Sequence, residues 1–158
     1  MEAAPFLAPP PPPPPAIAPT ETQGDPEEMN RIFNLCRNNN WEAVLVAVME
    51  KPSLAMTPII MDNHISTTIL HQAITSKGNT MMRAKVIRQV LGATPRAASL
   101  RNGYGSLPLH VITQRNTKIK SNIKEGLIQD FVMAYSDALF EEGGTGRRTP
   151  LHIIFTGT

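Results

Sequence analysis

A Leu-His pair entering a short apolar stretch occurs three times in this chain, and that recurrence limits the folds open to it. The copies are Thr68-Ile69-Leu70-His71-Gln72-Ala73-Ile74, Leu107-Pro108-Leu109-His110-Val111-Ile112 and Thr149-Pro150-Leu151-His152-Ile153-Ile154. Three of the four histidines thus occupy one slot, 39 and then 42 residues apart. Self-similarity at such a period marks a stacked array, in which no unit buries its apolar face alone. Each copy follows a cluster of turn formers: Asn63 to Ser66, Asn102 to Gly105, and Gly143 to Gly146. Apolar residues at helical spacing then predict two helices per unit. In one unit these are Leu70, Ala73 and Ile74, then Ala84, Val86, Ile87, Val90 and Leu91. In the next they are Leu109, Val111 and Ile112, then Ile123, Leu127, Ile128, Phe131 and Val132. Ser66 to Thr68 supply a helix start, and Gly78-Asn79 is placed at the end of the helix that follows.

The pattern resembles the ankyrin repeat over roughly residues 30 to 158. Thr149, Pro150, Leu151 and His152 match the family's Thr-Pro-Leu-His tetrapeptide in full, and Pro108, Leu109 and His110 match all but its first position. Thr68, Leu70 and His71 keep three of the four, and Val90-Leu91-Gly92-Ala93 resembles the usual exit from the second helix. Departures are Leu107 for Thr, Ile69 for Pro, and Ile112 and Ile154 for the small Ala. The units exceed the usual ~33 residues, which places extra residues near Gly78 to Met82 and Thr117 to Asn122. The resemblance implies an all-α, helix-turn-helix solenoid of about three and a half repeats over 29–158, the fourth stopping after its first helix. It implies a non-catalytic protein-protein interaction module or scaffold that binds through loop tips and the first-helix face. Asn63, His64, Arg101, Asn102, Tyr104, Arg147 and Arg148 are the contact candidates.

Residues 1–28 differ from the rest, holding ten of the fifteen prolines, seven of them consecutive from Pro9 to Pro15. Proline fixes φ and donates no backbone hydrogen bond, so the run is expected as a disordered, polyproline II-rich tail. It reads first as a stiff spacer and second as a ligand for SH3, WW or profilin-type grooves. A helix start is nevertheless written at Asp25-Pro26-Glu27-Glu28, followed by the apolar face Ile32, Phe33, Leu35 and Cys36. Asn38-Asn39-Asn40 interrupts it, and Trp41, Val44, Leu45 and Val48 begin a second helix, an atypical first unit of the kind that caps an array. Trp41 and Cys36 are expected in the core. The longest apolar run, Ala43 to Met49, is far shorter than the ~20 residues a membrane span requires. A lone cysteine excludes an internal disulfide, and no Lys or Arg precedes Arg31 to begin a signal peptide, so an intracellular, by default cytoplasmic, protein is expected.

Histidines one unit apart would lie roughly 10 Å from each other, a helix-to-helix spacing, too far to share a metal. They are expected instead to bond the adjoining loop, with His110 needing a substitute for the hydroxyl that Leu107 lacks. Gly143-Gly144-Thr145-Gly146-Arg147-Arg148 resembles a phosphate loop only superficially, since it has no lysine and falls where a turn belongs. No catalytic, cofactor or metal motif is present, and no cofactor is expected. Charge is uneven: residues 1–28 hold five acids and no Lys or Arg, and ten basic residues with no acid lie between Asp62 and Glu125. They are Lys77, Arg83, Lys85, Arg88, Arg96, Arg101, Arg115, Lys118, Lys120 and Lys124. A solvated surface explains such a block first; an acidic protein partner comes next, and nucleic acid or an anionic membrane surface bound electrostatically through 77–124 after that. Having Tyr104 as its one aromatic disfavours single-stranded nucleic acid. The abrupt end after Ile153, Ile154 and Phe155 suggests a piece of a longer array, so these repeats could also be the regulatory part of a longer enzyme or membrane protein.

Overall fold

The computed structural model describes residues 25–156. The Pro-rich stretch through residue 24, including Pro9 to Pro15, lies outside them. Helix α1 (Pro26–Arg37) starts as its sequence dictates: the Asp25 carboxylate accepts from the Glu27 N–H at 3.1 Å, and Glu27 and Glu28 face the positive end of the helix dipole. Pro26, Glu27 and Glu28, which composition groups with the tail, are therefore helical. Asn39 takes a positive φ of 56°, and Asn40 caps α2 (Trp41–Glu50) by accepting from the Ala43 N–H.

A short antiparallel pair follows, β1 (Ile59–Ile60) with β2 (Ser66–Thr67), in which Ile59 faces Thr67 and Ile60 faces Ser66. The remaining helices are α3 (Ile69–Thr75), α4 (Thr80–Ala93), α5 (Pro108–Thr113), α6 (Ser121–Ala134) and α7 (Pro150–Thr156). The described chain is thus mostly helical, with very little strand. Helices α1, α3, α5 and α7 touch in succession, as do α2, α4 and α6, so the helices form two rows, and α3, α5 and α7 are the short ones. Ile74, Ile87, Leu127 and Phe131 are buried where the rows meet. Each such side chain contributes on the order of 2 kcal/mol by leaving water. Trp41 and Cys36 are buried as well, and Ile153 is the buried face of α7, while Ile154 and Phe155 are exposed.

Two boundaries differ from the sequence reading. Asn79 does not end α3; its side chain caps α4, accepting from the N–H groups of Met81 and Met82, and α3 has already stopped at Thr75. Gly78 to Met82 thus runs from the loop into the start of α4. Three 3-10 turns follow α2, α4 and α6, at Pro52–Met56, Pro95–Ser99 and Ser136–Phe140. Leu54, Ala97 and Ala138 in these turns are buried, which explains why the chain coils there before leaving for the next loop.

Arg83 is the least expected core member. It is 1 % exposed, and its guanidinium donates to the carbonyls of Ala73 at 3.1 Å and Lys118 at 2.9 Å and to the Thr80 hydroxyl at 3.2 Å. It satisfies the orphan carbonyls at the end of α3 and reaches across to the loop between α5 and α6. Its pKa is pushed down by burial, yet an arginine keeps its charge at any ordinary pH. Lys124 in α6 repeats the device, donating to the Gln114 carbonyl at the end of α5, 2.6 Å away. The basic block is thereby broken as a continuous surface. Arg83 and Lys124 hold backbone carbonyls, while Arg88 pairs with Asp130 at 3.0 Å and Arg101 with Glu141 at 2.5 Å.

Candidate binding cleft

The loops before α3, α5 and α7 are three hairpins. The first carries β1 and β2, with His64 at φ 61° in its turn. In the second, Asn102 both closes the backbone, donating to the Ser106 carbonyl at 3.0 Å, and folds its side chain to accept from the N–H groups of Tyr104 and Ser106. Gly105 takes φ 76° there, a conformation that only glycine adopts without strain. The third closes through Gly143 and Arg148, so the glycine-rich stretch is a hairpin turn.

Two of the three slot histidines tie their helix to the loop that follows, while His152 is exposed. The Nε2 of His71 lies 2.8 Å from the Ser106 carbonyl, and that of His110 lies 2.7 Å from the Glu141 carbonyl. A carbonyl only accepts, so each Nε2 bears the proton and each Nδ1 is an acceptor. For His71 the donor to Nδ1 is the Thr68 hydroxyl at 2.8 Å. For His110 the missing hydroxyl is replaced by the Leu107 backbone N–H at 3.1 Å, half of a capping box made with an imidazole. Burial lowers the pKa of both rings, that of His71 to about 4. Both remain neutral at pH 7.

Between the second and third hairpins and the face of α5 runs a cleft of about 750 Å³. Asn102 and Tyr104 line it from one hairpin, and Gly144, Thr145 and Arg148 from the other. Gln114, Arg115 and Asn116, just past the end of α5, complete it with Val111 and Ile153. Three of the candidate contacts, Asn102, Tyr104 and Arg148, therefore share this cleft. Asn63 and His64 are exposed at the tip of the first hairpin and do not line it. Arg101 lies elsewhere for a physical reason: it spans two hairpins, donating to the carbonyls of Gly105 and Glu142 while pairing with the Glu141 carboxylate. Arg147 is turned to Glu142 at 3.2 Å.

Thr75, Gln114 and Arg115 were absent from the sequence-based set. Their signal was spacing: Thr75 follows His71, and Gln114 follows His110, by the four residues that return to the same helix face. Among the described residues no group of three or more His, Cys, Asp or Glu could hold a metal, and no helix is long and apolar enough to cross a membrane. The chain matches no family model, no curated protein and no solved structure.

Proposed function

We propose that this chain is a divergent ankyrin-like stack serving as a non-catalytic protein-interaction module, with the cleft at the second and third hairpins as its principal contact surface. The observation that carries the reading is the coincidence of three features. The Leu-His slots recur in sequence, two of their three histidines, His71 and His110, bond the loop that follows their helix, and the surface so aligned leaves a cleft at the loop tips and first-helix face. A cleft of this size falls in the range that binds ligands or peptide side chains. Tyr104 is 56 % exposed there, and a rigid, partly apolar ring is the kind of group that dominates recognition surfaces.

The test is affinity capture with the full chain at moderate salt, read by mass spectrometry. Two variants accompany it: Tyr104→Ala in the cleft and Lys85→Ala on the exposed side of α4. A specific module loses its partners with Tyr104→Ala and keeps them with Lys85→Ala. Identical partner lists for the three baits would remove the cleft from consideration.

A further inference from the structure

We propose that a second groove, where the turn between α1 and α2 meets the start of α4, holds the main chain of an extended, uncharged segment of a partner protein. This groove shares no residue with the cleft at the second and third hairpins, so the two surfaces are independent.

Four asparagines meet in this space of about 450 Å³: Asn38, Asn39 and Asn40 from the turn, and Asn79 from the start of α4. Their convergence has a local cause. Asn39 takes φ 56°, a left-handed conformation that asparagine tolerates better than most residues. A Cβ at Gly78 would lie 3.2 Å from the Asn39 Cβ, so the two turns pack closely there. Asn40 and Asn79 are helix caps, and a cap uses only the amide oxygen. That of Asn40 accepts from the Ala43 N–H, and that of Asn79 from the N–H groups of Met81 and Met82. Neither NH2 group has an acceptor among the described residues, and the side chains of Asn38 and Asn39 make no hydrogen bond there at all.

Trp41 provides a separate observation. It lines the same groove, is 2 % exposed, and its indole N–H is buried without an acceptor. A buried donor left unmet is destabilising, so a carbonyl that reaches it recovers that loss. The starts of α2 and α4 would together favour an anion, but the Glu42 carboxylate also lines the groove and opposes one. What remains is a set of amide groups, each presenting donors and an acceptor as a peptide group does. A main chain satisfies such a surface whatever its sequence. The space is within the size range of sites that enclose a ligand.

The chain has one tryptophan, so its indole N–H gives a single resonance in the 15N-labelled full chain. The probes are an end-blocked dodecapeptide of alternating Thr and Gly, the same peptide methylated at its backbone nitrogens, and acetamide. The unmodified peptide is expected to shift the Trp41 indole and the side-chain NH2 resonances of Asn38, Asn39 and Asn79. It should bind about tenfold more tightly than the methylated form. Asn39→Gly, which keeps the left-handed turn and removes one amide, should weaken binding about fivefold, and Lys85→Gln less than about twofold. An indole resonance unmoved at the highest soluble peptide concentration would overturn the proposal, since a surface that reads main chain needs no particular sequence. Equal binding of the methylated peptide would do the same, because the main-chain N–H groups would then not be read. Acetamide reproducing the shifts at equal concentration would make this a small-amide pocket and overturn the extended occupant. Shifts confined to Asn102 and Tyr104, or insensitive to Asn39→Gly, would place the peptide elsewhere and overturn it equally.

Discussion

His71 and Ser106, 35 residues apart, are joined by a 2.8 Å hydrogen bond from the imidazole Nε2 to a backbone carbonyl. The same carbonyl already closes the second hairpin by accepting from the Asn102 N–H at 3.0 Å. One oxygen thus uses both lone pairs, one for the hairpin's own shape and one for its attachment to the preceding helix. Because the His71 side chain is buried, losing that bond would leave polar groups without water to replace it.

Acid should loosen this attachment. The His71 pKa falls from 6.5 to about 4 on folding, because burial disfavours the charged ring. The unfolded chain therefore binds the proton more readily, so this stability is complete above about pH 6.5 and is lost as pH falls toward 4. At about 1.4 kcal/mol per pH unit, the chain should be about 2 kcal/mol less stable at pH 5 than at pH 7.5. His110 works in the same direction, since protonating its Nδ1 would set an N–H against the Leu107 N–H. Urea melts at the two pH values would measure the effect. His71→Gln should be weaker at pH 7.5 and show a flatter pH dependence; an unchanged slope in that variant would assign the effect to other groups.

Arg83 makes a second prediction. Its removal strands the carbonyls of Ala73 and Lys118 and leaves a cavity between α3, α4 and the loop before α6. Arg83→Ala should destabilise the chain by on the order of 3 kcal/mol, combining lost hydrogen bonds with lost packing. Arg83→Lys should recover only part of this, because one ammonium cannot span both carbonyls as a guanidinium fork does. Chemical denaturation would measure both, and a change below about 1 kcal/mol for Arg83→Ala would contradict the role given to it.

These two residues show what could be read from the sequence. The apolar faces of α3 and α4 were legible because Leu70, Ala73 and Ile74, then Val86, Ile87 and Val90, recur at helical spacing. Arg83 was not, because a buried arginine and a surface one have the same letter and only tertiary packing separates them. The sequence also showed that His110 lacked a hydroxyl, while the replacement by a backbone N–H depends on φ and ψ at Leu107. Of the cleft, the hairpin residues Asn102 and Tyr104 were legible as turn positions. Arg115 was visible only as one member of a charge block, and its difference from Arg101 lies in which of the two has Glu141 beside it.

Glycine substitutions should act in opposite directions at two positions. A Cβ at Gly143 would lie 2.7 Å from Cε1 of the buried His110 ring and 3.0 Å from the Gly105 carbonyl. Neither neighbour can withdraw freely, so Gly143→Ala should push the third hairpin from the second and cost about 2 kcal/mol. Gly92, inside α4, has nothing within 4 Å of the same atom and no positive φ. Gly92→Ala should therefore stabilise by about 0.5 kcal/mol, through helix propensity and a less flexible unfolded chain. Thermal melts of the two variants would test the pair, and a shared sign would count against the packing described at Gly143.

Cys36 provides the last test, because its reactivity reports the first helix pair separately from the cleft. The thiol is 1 % exposed and burial pushes its pKa up to about 12. The thiolate is the reactive species, so both access and ionisation are suppressed in the folded chain. An aromatic disulfide reagent at pH 8 should label essentially no protein over an hour in buffer and one equivalent, at once, in concentrated guanidinium. Should Cys36 react quickly in buffer while α3 to α6 stay folded by hydrogen exchange, α1 would be opening locally. That outcome would separate the stability of the first pair from that of the units joined by His71 and His110.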